Sequence, residues 1–145
     1  MDTNSAALLI RQKMNEHGLN DWDWKFTNAI RKFGSCSHRM KTIILSKPLT
    51  ELCTDDEVKD TILHEIAHAL CPKEGHNEIW KAMAIQLGGS GNQYGPSGYN
   101  VPYKYEATCK NGHKYYTHRR SKSYSCGYCS KQFDPENILE YKKLK

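Results

Sequence analysis

Two histidines and a glutamate lie within the five residues His64-Glu65-Ile66-Ala67-His68. Four residues make slightly more than one helical turn, so His64 and His68 would project from one helix face and offer two imidazole nitrogens to one metal ion. Zinc favours imidazole, and with three protein ligands it keeps a position open for water. That water is acidified to a pKa of about 7. Glu65 stands beside the first ligand, where it can take up the proton as a general base.

A third zinc ligand must come from elsewhere, and His76 is the best candidate. Pro72 ends the helix, and Gly75 permits a tight return immediately before His76. The eight-residue separation from His68 is too long for the pattern HExxHxxGxxH. The alternatives are Glu78, which ranks second, followed by Glu74 and Cys71.

A second set of metal-ligand residues lies near the C-terminus. Cys109 and His113 form a C-x3-H turn, Cys126 and Cys129 form a C-x2-C turn, and 12 residues separate the two turns. This spacing predicts one closed, structural Cys3His zinc site, which a segment too short to bury its own core would need for folding. His118 is the rival fourth ligand, but we expect it inside a hairpin strand.

The other three cysteines are Cys36, Cys53 and Cys71. We expect them to be small buried thiols. The N-terminus has no charged-then-apolar export signal, which favours thiols and metal ligands over disulfides among the six cysteines. The sequence therefore predicts a cytoplasmic location, which would be the host cytoplasm for a viral protein.

The net charge of +5 is unevenly distributed. Residues 1–100 contain 11 Lys and Arg against 12 Asp and Glu, whereas residues 101–145 contain 10 against 4. All nine tyrosines follow residue 93. Two compositions therefore meet near residue 95, at a Gly- and Pro-rich stretch over residues 88–102 that predicts a loop or linker.

Basic residues alternate with tyrosines between the two cysteine turns. Such a pattern can neutralise phosphates and stack on unpaired bases, so it favours nucleic acid binding, with single strands preferred. The competing interpretation is a solvated hairpin. The candidate contacts are Lys114, Tyr116, Arg119, Arg120, Lys122 and Tyr124.

The pattern of apolar residues predicts the elements that position these groups. Thr54 and Glu57 have the spacing of a capping box, so a helix should begin near residue 55 and end near Cys71. No apolar run approaches the ~20 residues of a membrane span. Further helices are expected over 5–17 and 78–87, the first with Ala7, Ile10 and Met14 buried, and strands over 22–33, 41–46 and 103–109.

The run HEIAHALCPKEGHNEIW, preceded by ILSKPLTELCTDDEVKDTIL, resembles the SprT-like metalloprotease family, and most closely its short bacterial and viral members. The resemblance implies zinc on His64, His68 and His76, with Glu65 as the general base. It also implies DNA-bound proteins as substrates and a packing role for Trp80. Asn77 departs from the small residue that many members carry after the third histidine.

We therefore predict an α+β fold with a zincin-like metalloprotease core over 1–90, a linker over 91–102 and a zinc ribbon over 103–145. The predicted activity is zinc-dependent hydrolysis of peptide bonds by a monomer that carries one catalytic and one structural Zn²⁺. Its partners would be a protein substrate and DNA, with no membrane. The alternatives are a non-enzymatic nucleic-acid-binding protein with two structural zinc ions, and an adaptor that binds another protein through its tail.

Overall fold

The computed structural model describes residues 1–144, whose helices and strands form two units, one over residues 1–101 and the other from residue 102 onward. Both units mix helical and extended segments with small sheets, which confirms the predicted α+β class. Within the described residues, no helix has the length and apolar character needed to cross a bilayer.

The first unit contains a sheet of three short strands, in the order β1-β3-β2. The central strand β3 (Thr42–Ser46) pairs in parallel with β1 (Asp23–Thr27) and antiparallel with β2 (Gly34–Ser37). The prediction of one strand over 22–33 was wrong. The chain leaves the sheet after Thr27, and the unpredicted strand β2 follows a loop.

Ser46, at the end of β3, fixes that loop with two hydrogen bonds. Its hydroxyl donates to the Ala29 carbonyl over 2.6 Å, and its amide donates to the Phe33 carbonyl over 2.8 Å. These bonds hold the segment as a turn across the end of β3. Residues 28–33 therefore bring the chain back toward the sheet instead of extending it.

Four helices complete the first unit. The helix α1 (Thr3–Glu16) buries Ala6, Ile10 and Met14, so Ala6 takes the place expected for Ala7. The six-residue helix α2 (Lys47–Leu52), which the sequence analysis did not predict, begins where the Ser46 side chain accepts the Leu49 amide. The last two helices are α3 (Asp55–Leu70) and α4 (Glu78–Gln86), close to their predicted bounds.

The helix α3 is fixed at its start by the predicted capping box and along its length by burial. Thr54 Oγ1 accepts the Glu57 amide over 3.3 Å, and a Glu57 carboxylate oxygen accepts the Thr54 amide over 3.0 Å. Val58, Ile62 and Ile66 form the expected apolar stripe in the core. Both features hold the helix in one orientation against the sheet.

The Gly-rich segment after α4 belongs to the first unit as far as Val101. It contains no helix or strand in the described residues, and side-chain contacts bind it to α3 instead. Ser90 hydrogen-bonds Asp60, and the Tyr99 hydroxyl donates to Glu57. The segment therefore packs along the helix that carries His64 and His68.

The second unit is a three-stranded antiparallel sheet in the order β5-β4-β6. Its strands are β4 (Tyr105–Thr108), β5 (Lys114–Thr117) and β6 (Glu140–Lys143), with a 3-10 turn at Pro135–Asn137 before β6. The placement of His118 inside a strand was wrong, because β5 ends one residue earlier.

We predict that Thr54→Ala lowers the free energy of unfolding of the first unit by about 1 kcal/mol, because α3 loses one half of its capping box. Chemical denaturation followed by tryptophan fluorescence measures this unit selectively, since all three tryptophans lie in it. Thr54→Ser keeps the hydroxyl and should retain most of the stability. Equal losses in both variants would contradict the role of the cap.

Candidate metal centres

Three imidazole nitrogens converge beside α3. The Nε2 atoms of His64 and His68 lie 3.3 Å apart, and that of His76 lies 3.1 Å from His64 and 3.0 Å from His68. A tetrahedral zinc ion with Zn–N bonds of about 2.0–2.1 Å holds its nitrogen ligands about 3.4 Å apart. The three histidines therefore fit one zinc ion, with His76 the most exposed of them.

His76 is brought to the other two by the short connection between α3 and α4. The chain turns directly after α3, where the Glu74 amide donates to the Cys71 carbonyl over 3.1 Å. Asn77 then caps α4, its side-chain oxygen accepting the amides of Ile79 and Trp80. The Asn77 departure from the family pattern thus has a structural role. The alternative ligands Glu74, Glu78 and Cys71 lie outside the histidine group in the described chain.

Trp80 lies against all three imidazoles. Its ring stacks on His68 at a centroid distance of 5.2 Å and an interplanar angle of 23°, and it meets the rings of His64 and His76 at 4.6 and 4.8 Å. Its Nε1 donates to the His64 carbonyl over 3.3 Å. The resemblance implied only core packing for this residue, whereas its buried ring also forms the wall behind the histidines.

Glu65 is turned away from solvent toward the sheet. It is only 6% exposed, and one carboxylate oxygen lies 4.0 Å from His64 Nε2. Burial raises the pKa of Glu65 to about 7, partly offset by Lys32. A Cβ on Gly34 of β2 would lie 3.3 Å from the Glu65 Cγ, so the glycine lets this strand approach the carboxylate closely.

The two helix histidines are held in their neutral form. Burial, followed by the charge of His76, lowers the pKa of His64. Burial, followed by the neighbouring His64 and His76, lowers the pKa of His68 to about 4. Neutral imidazole is the form that binds metal ions, so the surroundings favour ligation over protonation.

The sequence analysis did not predict two further contacts, one at the His64 ring and one at the His68 backbone carbonyl. His64 Nδ1 lies 3.3 Å from the Asn92 carbonyl, and His38 Nε2 lies 2.7 Å from the His68 carbonyl. A hydrogen bond at the second ring nitrogen fixes the tautomer of a metal-binding histidine. A backbone carbonyl acceptor leaves no mark in the sequence, so only the fold reveals the Asn92 contact.

The second cluster joins the two cysteine turns of the ribbon. His113 Nδ1 lies 3.3 Å from the Cys109 sulfur and 3.4 Å from those of Cys126 and Cys129, and the Cys109 and Cys129 sulfurs are 3.8 Å apart. Zn–S bonds of about 2.3 Å separate tetrahedral sulfur ligands by about 3.8 Å. The four predicted residues thus fit a closed zinc site. His118 is outside this group and packs on Tyr103 instead.

Hydrogen bonds favour the thiolate at Cys109 and Cys126, whose pKa values are lowered in spite of burial, whereas the pKa of Cys129 is raised. Burial opposes ionisation of Cys126, but bonds from the Tyr115 hydroxyl and from the amides of Cys129 and Tyr128 outweigh it and lower the pKa of this thiol to about 6. Asn111 donates to the Cys129 sulfur over 3.1 Å. Thiolate is the zinc-binding form of cysteine.

The other three cysteines lie in the first unit. Cys53 and Cys71 are buried, as expected, and Cys36 is half-buried. Burial raises the pKa of Cys36 to about 12, with a further contribution from the Glu65 charge.

The candidate nucleic-acid contacts do not form a single surface. Lys114 and Tyr116 are exposed on one face of β5, together with Glu106 of β4, and Lys114 lies 3.4 Å from a Glu106 carboxylate oxygen. Arg120 instead lies over Tyr105, on the other face, at 5.8 Å from the ring centroid. Residues directly opposite in an antiparallel pair share a face, so the basic residues divide between two sides of the sheet.

A cavity of ≈ 660 Å³ adjoins the Arg120 side of the ribbon. Its lining combines two basic side chains with apolar and aromatic ones, namely Arg120, Ser121, Lys122, Ile138, Leu139 and Tyr141. Arg119 and Tyr124, the remaining candidates, are exposed beside these residues in the chain. Such a lining suits a ligand with negative charge and a flat apolar body.

Two solved structures are similar in fold to part of this chain. The metallopeptidase zymogen jannalysin of Methanocaldococcus jannaschii superposes with a TM-score of 0.51 at 18% identity, over 56% of this chain and 79% of that one. The zymogen abylysin of Pyrococcus abyssi gives a TM-score of 0.49 at 16% identity, over 56% and 77%. The first of these superpositions shows that the fold is similar to that of the jannalysin zymogen.

The model of the SprT-like family matches residues 6–106. This match covers more than half of the chain, so the chain belongs to the SprT-like family, as the resemblance of its histidine helix indicated. A comparison with curated proteins finds no match.

We predict that the purified chain binds two zinc ions and that His76→Ala binds one. His76 is exposed, so its loss removes a ligand without opening the core. Elemental analysis after dialysis against zinc-free buffer measures the ratio. His17→Ala, at the end of α1, is the control and should retain two ions. Two zinc ions in His76→Ala would exclude His76 as a ligand.

Proposed function

We propose that this protein is a zinc-dependent endopeptidase that cleaves nucleic-acid-associated proteins and is brought to them by its ribbon. One observation carries the proposal. Three Nε2 atoms converge within 3.3 Å of one another, next to the buried Glu65 carboxylate of α3. Membership of the SprT-like family supports the same chemistry.

The residues of the centre divide two tasks, metal binding and proton transfer. His64, His68 and His76 would hold the zinc ion, which when bound supplies a Lewis acid for polarising water and a peptide carbonyl. Glu65 would take the proton from the attacking water and pass it to the leaving nitrogen. Its carboxylate lies 4.0 Å from His64 Nε2, which suits it to this proton transfer.

A free sheet edge next to Glu65 offers a place for the substrate. Strand β2 is the outer strand of its sheet and carries Gly34, whose missing side chain lets the strand lie close to Glu65. An extended peptide can add to such an edge through main-chain hydrogen bonds. These contacts are independent of side chains, which fits cleavage of varied protein substrates.

The ribbon supports the nucleic acid part of the proposal through its charge and its aromatic residues. Arg120 and Lys122 line the cavity together with Tyr141, an arrangement that could contact phosphates and stack on an unpaired base. On the opposite face, Lys114 is partly neutralised by Glu106. We therefore favour the cavity side as the nucleic acid surface.

We predict that Glu65→Gln abolishes cleavage of an unfolded protein substrate while the chain keeps both zinc ions. The amide cannot accept a proton, and loss of general base catalysis costs about 10²- to 10⁴-fold in rate. Cleavage is measured by gel electrophoresis with and without single-stranded DNA, and zinc by elemental analysis.

Glu78→Gln is the matched control, because Glu78 is exposed at the start of α4 and outside the histidine group. It should cleave at the wild-type rate. Equal cleavage by wild type and Glu65→Gln under both conditions would favour the non-enzymatic alternative, in which both zinc ions are structural.

We predict that affinity for single-stranded DNA falls steeply with salt and depends on the cavity face. Replacing Arg120 and Lys122 by alanine should weaken binding and reduce the salt slope by about 0.7 for each lost phosphate contact. In the matched control, Lys114 and Lys142 are replaced by alanine. This change removes the same charge from the other face of the sheet. Fluorescence anisotropy at salt concentrations from low to physiological measures the affinity and its salt slope for each variant. A wild-type affinity that does not change with salt would exclude phosphate binding.

A further inference from the structure

Asp60 lies one helical turn before His64 on α3 and binds the Gly-rich segment with both carboxylate oxygens. One oxygen accepts the Ser90 amide over 2.7 Å, and the other accepts the Ser90 hydroxyl over 2.8 Å. Two bonds to one residue fix both its backbone and its side chain. Ser90 is therefore held at a defined position beside the helix.

From Ser90 the hydrogen bonds continue back to the histidine centre. Its hydroxyl oxygen accepts the Asn92 amide over 3.1 Å, and the Asn92 carbonyl lies 3.3 Å from His64 Nδ1. The chain of contacts leaves α3 at Asp60 and returns to it at His64. Asp60 thereby determines where the acceptor for the His64 ring lies.

The segment needs such an anchor because glycine makes its backbone permissive. Gly88 and Gly91 adopt positive φ angles of 99° and 74°, which other residues rarely adopt. A Cβ on Gly91 would lie 2.9 Å from an Ile85 side-chain carbon, so its backbone also packs tightly on α4. Without the Asp60 bonds, many conformations would become accessible to residues 88–92.

The orientation of His64 matters because its two nitrogens have different tasks. When Nδ1 carries the proton and donates to the Asn92 carbonyl, the lone pair of Nε2 points toward the ion. We propose that Asp60, acting through Ser90 and the Asn92 carbonyl, is a positioning residue for the metal ion bound by the three histidines. This inference rests on the proposed zinc site, and it assigns Asp60 no contact with substrate.

The test compares zinc affinity in the full-length chain and its variants. Buffers of graded free zinc give the concentration at which the histidine site is half occupied, with the ribbon zinc as an internal reference and His76→Ala as the baseline. Asp60→Ala and Ser90→Ala should each raise this concentration by about 10- to 100-fold, the usual cost of losing such a supporting contact.

Three further variants sharpen the comparison. Ser90→Thr keeps the hydroxyl and should bind zinc like the wild type. Asp56→Ala removes the same side chain from an exposed position on the same helix and should leave zinc affinity unchanged. The Asp60→Ala/Ser90→Ala double variant should bind no more weakly than the weaker single variant, because both changes interrupt one chain of contacts.

Melting of the metal-free variants separates positioning from general stability. If Asp60→Ala lowers the melting temperature but leaves the half-occupancy concentration within twofold of wild type, Asp60 is merely structural and the inference is overturned. A wild-type chain that binds zinc only at the ribbon would instead overturn the proposed function, and this inference with it. The two failures are distinguished by the wild-type zinc content.

Discussion

The first unit depends on the 3.6-residue period of α3. Residues four apart share a face, so His64 and His68 point in one direction, while the next residue, Glu65, is rotated by about 100°. That rotation turns the carboxylate toward the sheet, where Gly34 leaves room for it. Any slip of α3 along its axis would displace ligands and carboxylate together, which explains why the capping box and the buried stripe hold this helix at its start and along its side.

The longer helices, whose apolar residues recur along one face, were predictable from the sequence, whereas the six-residue helix α2 and strand β2 were not. Helix α3 carries its own cap and stripe, so its bounds follow from neighbouring residues. Strand β2 has four residues and begins with Gly34, and its pairing depends on β3. The alternating run over 22–33 looked like one strand, but β3 offers β1 a partner of only five residues. The length of a strand is set by its neighbour, which local patterns do not record.

The same distinction applies within the metal centres. Residue type and spacing indicate the donor atoms, because imidazole and thiolate chemistry belong to single side chains. The orientation of those donors depends on groups that are remote in sequence, such as the Trp80 ring and the Asn92 carbonyl. The basic residues of the ribbon show a related limit, because Lys114 and Arg120 are close in sequence but lie on opposite faces of the sheet.

The two histidine environments support the proposal that one cluster serves chemistry and the other serves folding. In the first unit, three imidazoles use Nε2, and His76 is exposed, so a bound ion would have an accessible side. In the second unit, His113 uses Nδ1 and three sulfurs complete a tetrahedron, with Cys109 and Cys126 buried. An ion enclosed by four ligands has no position for a reactant. Such an ion would instead join the two turns of the ribbon, whose small sheet has little apolar area to hold them together. The first unit folds around a core of its own, so an ion bound by its histidines could stay open on one side.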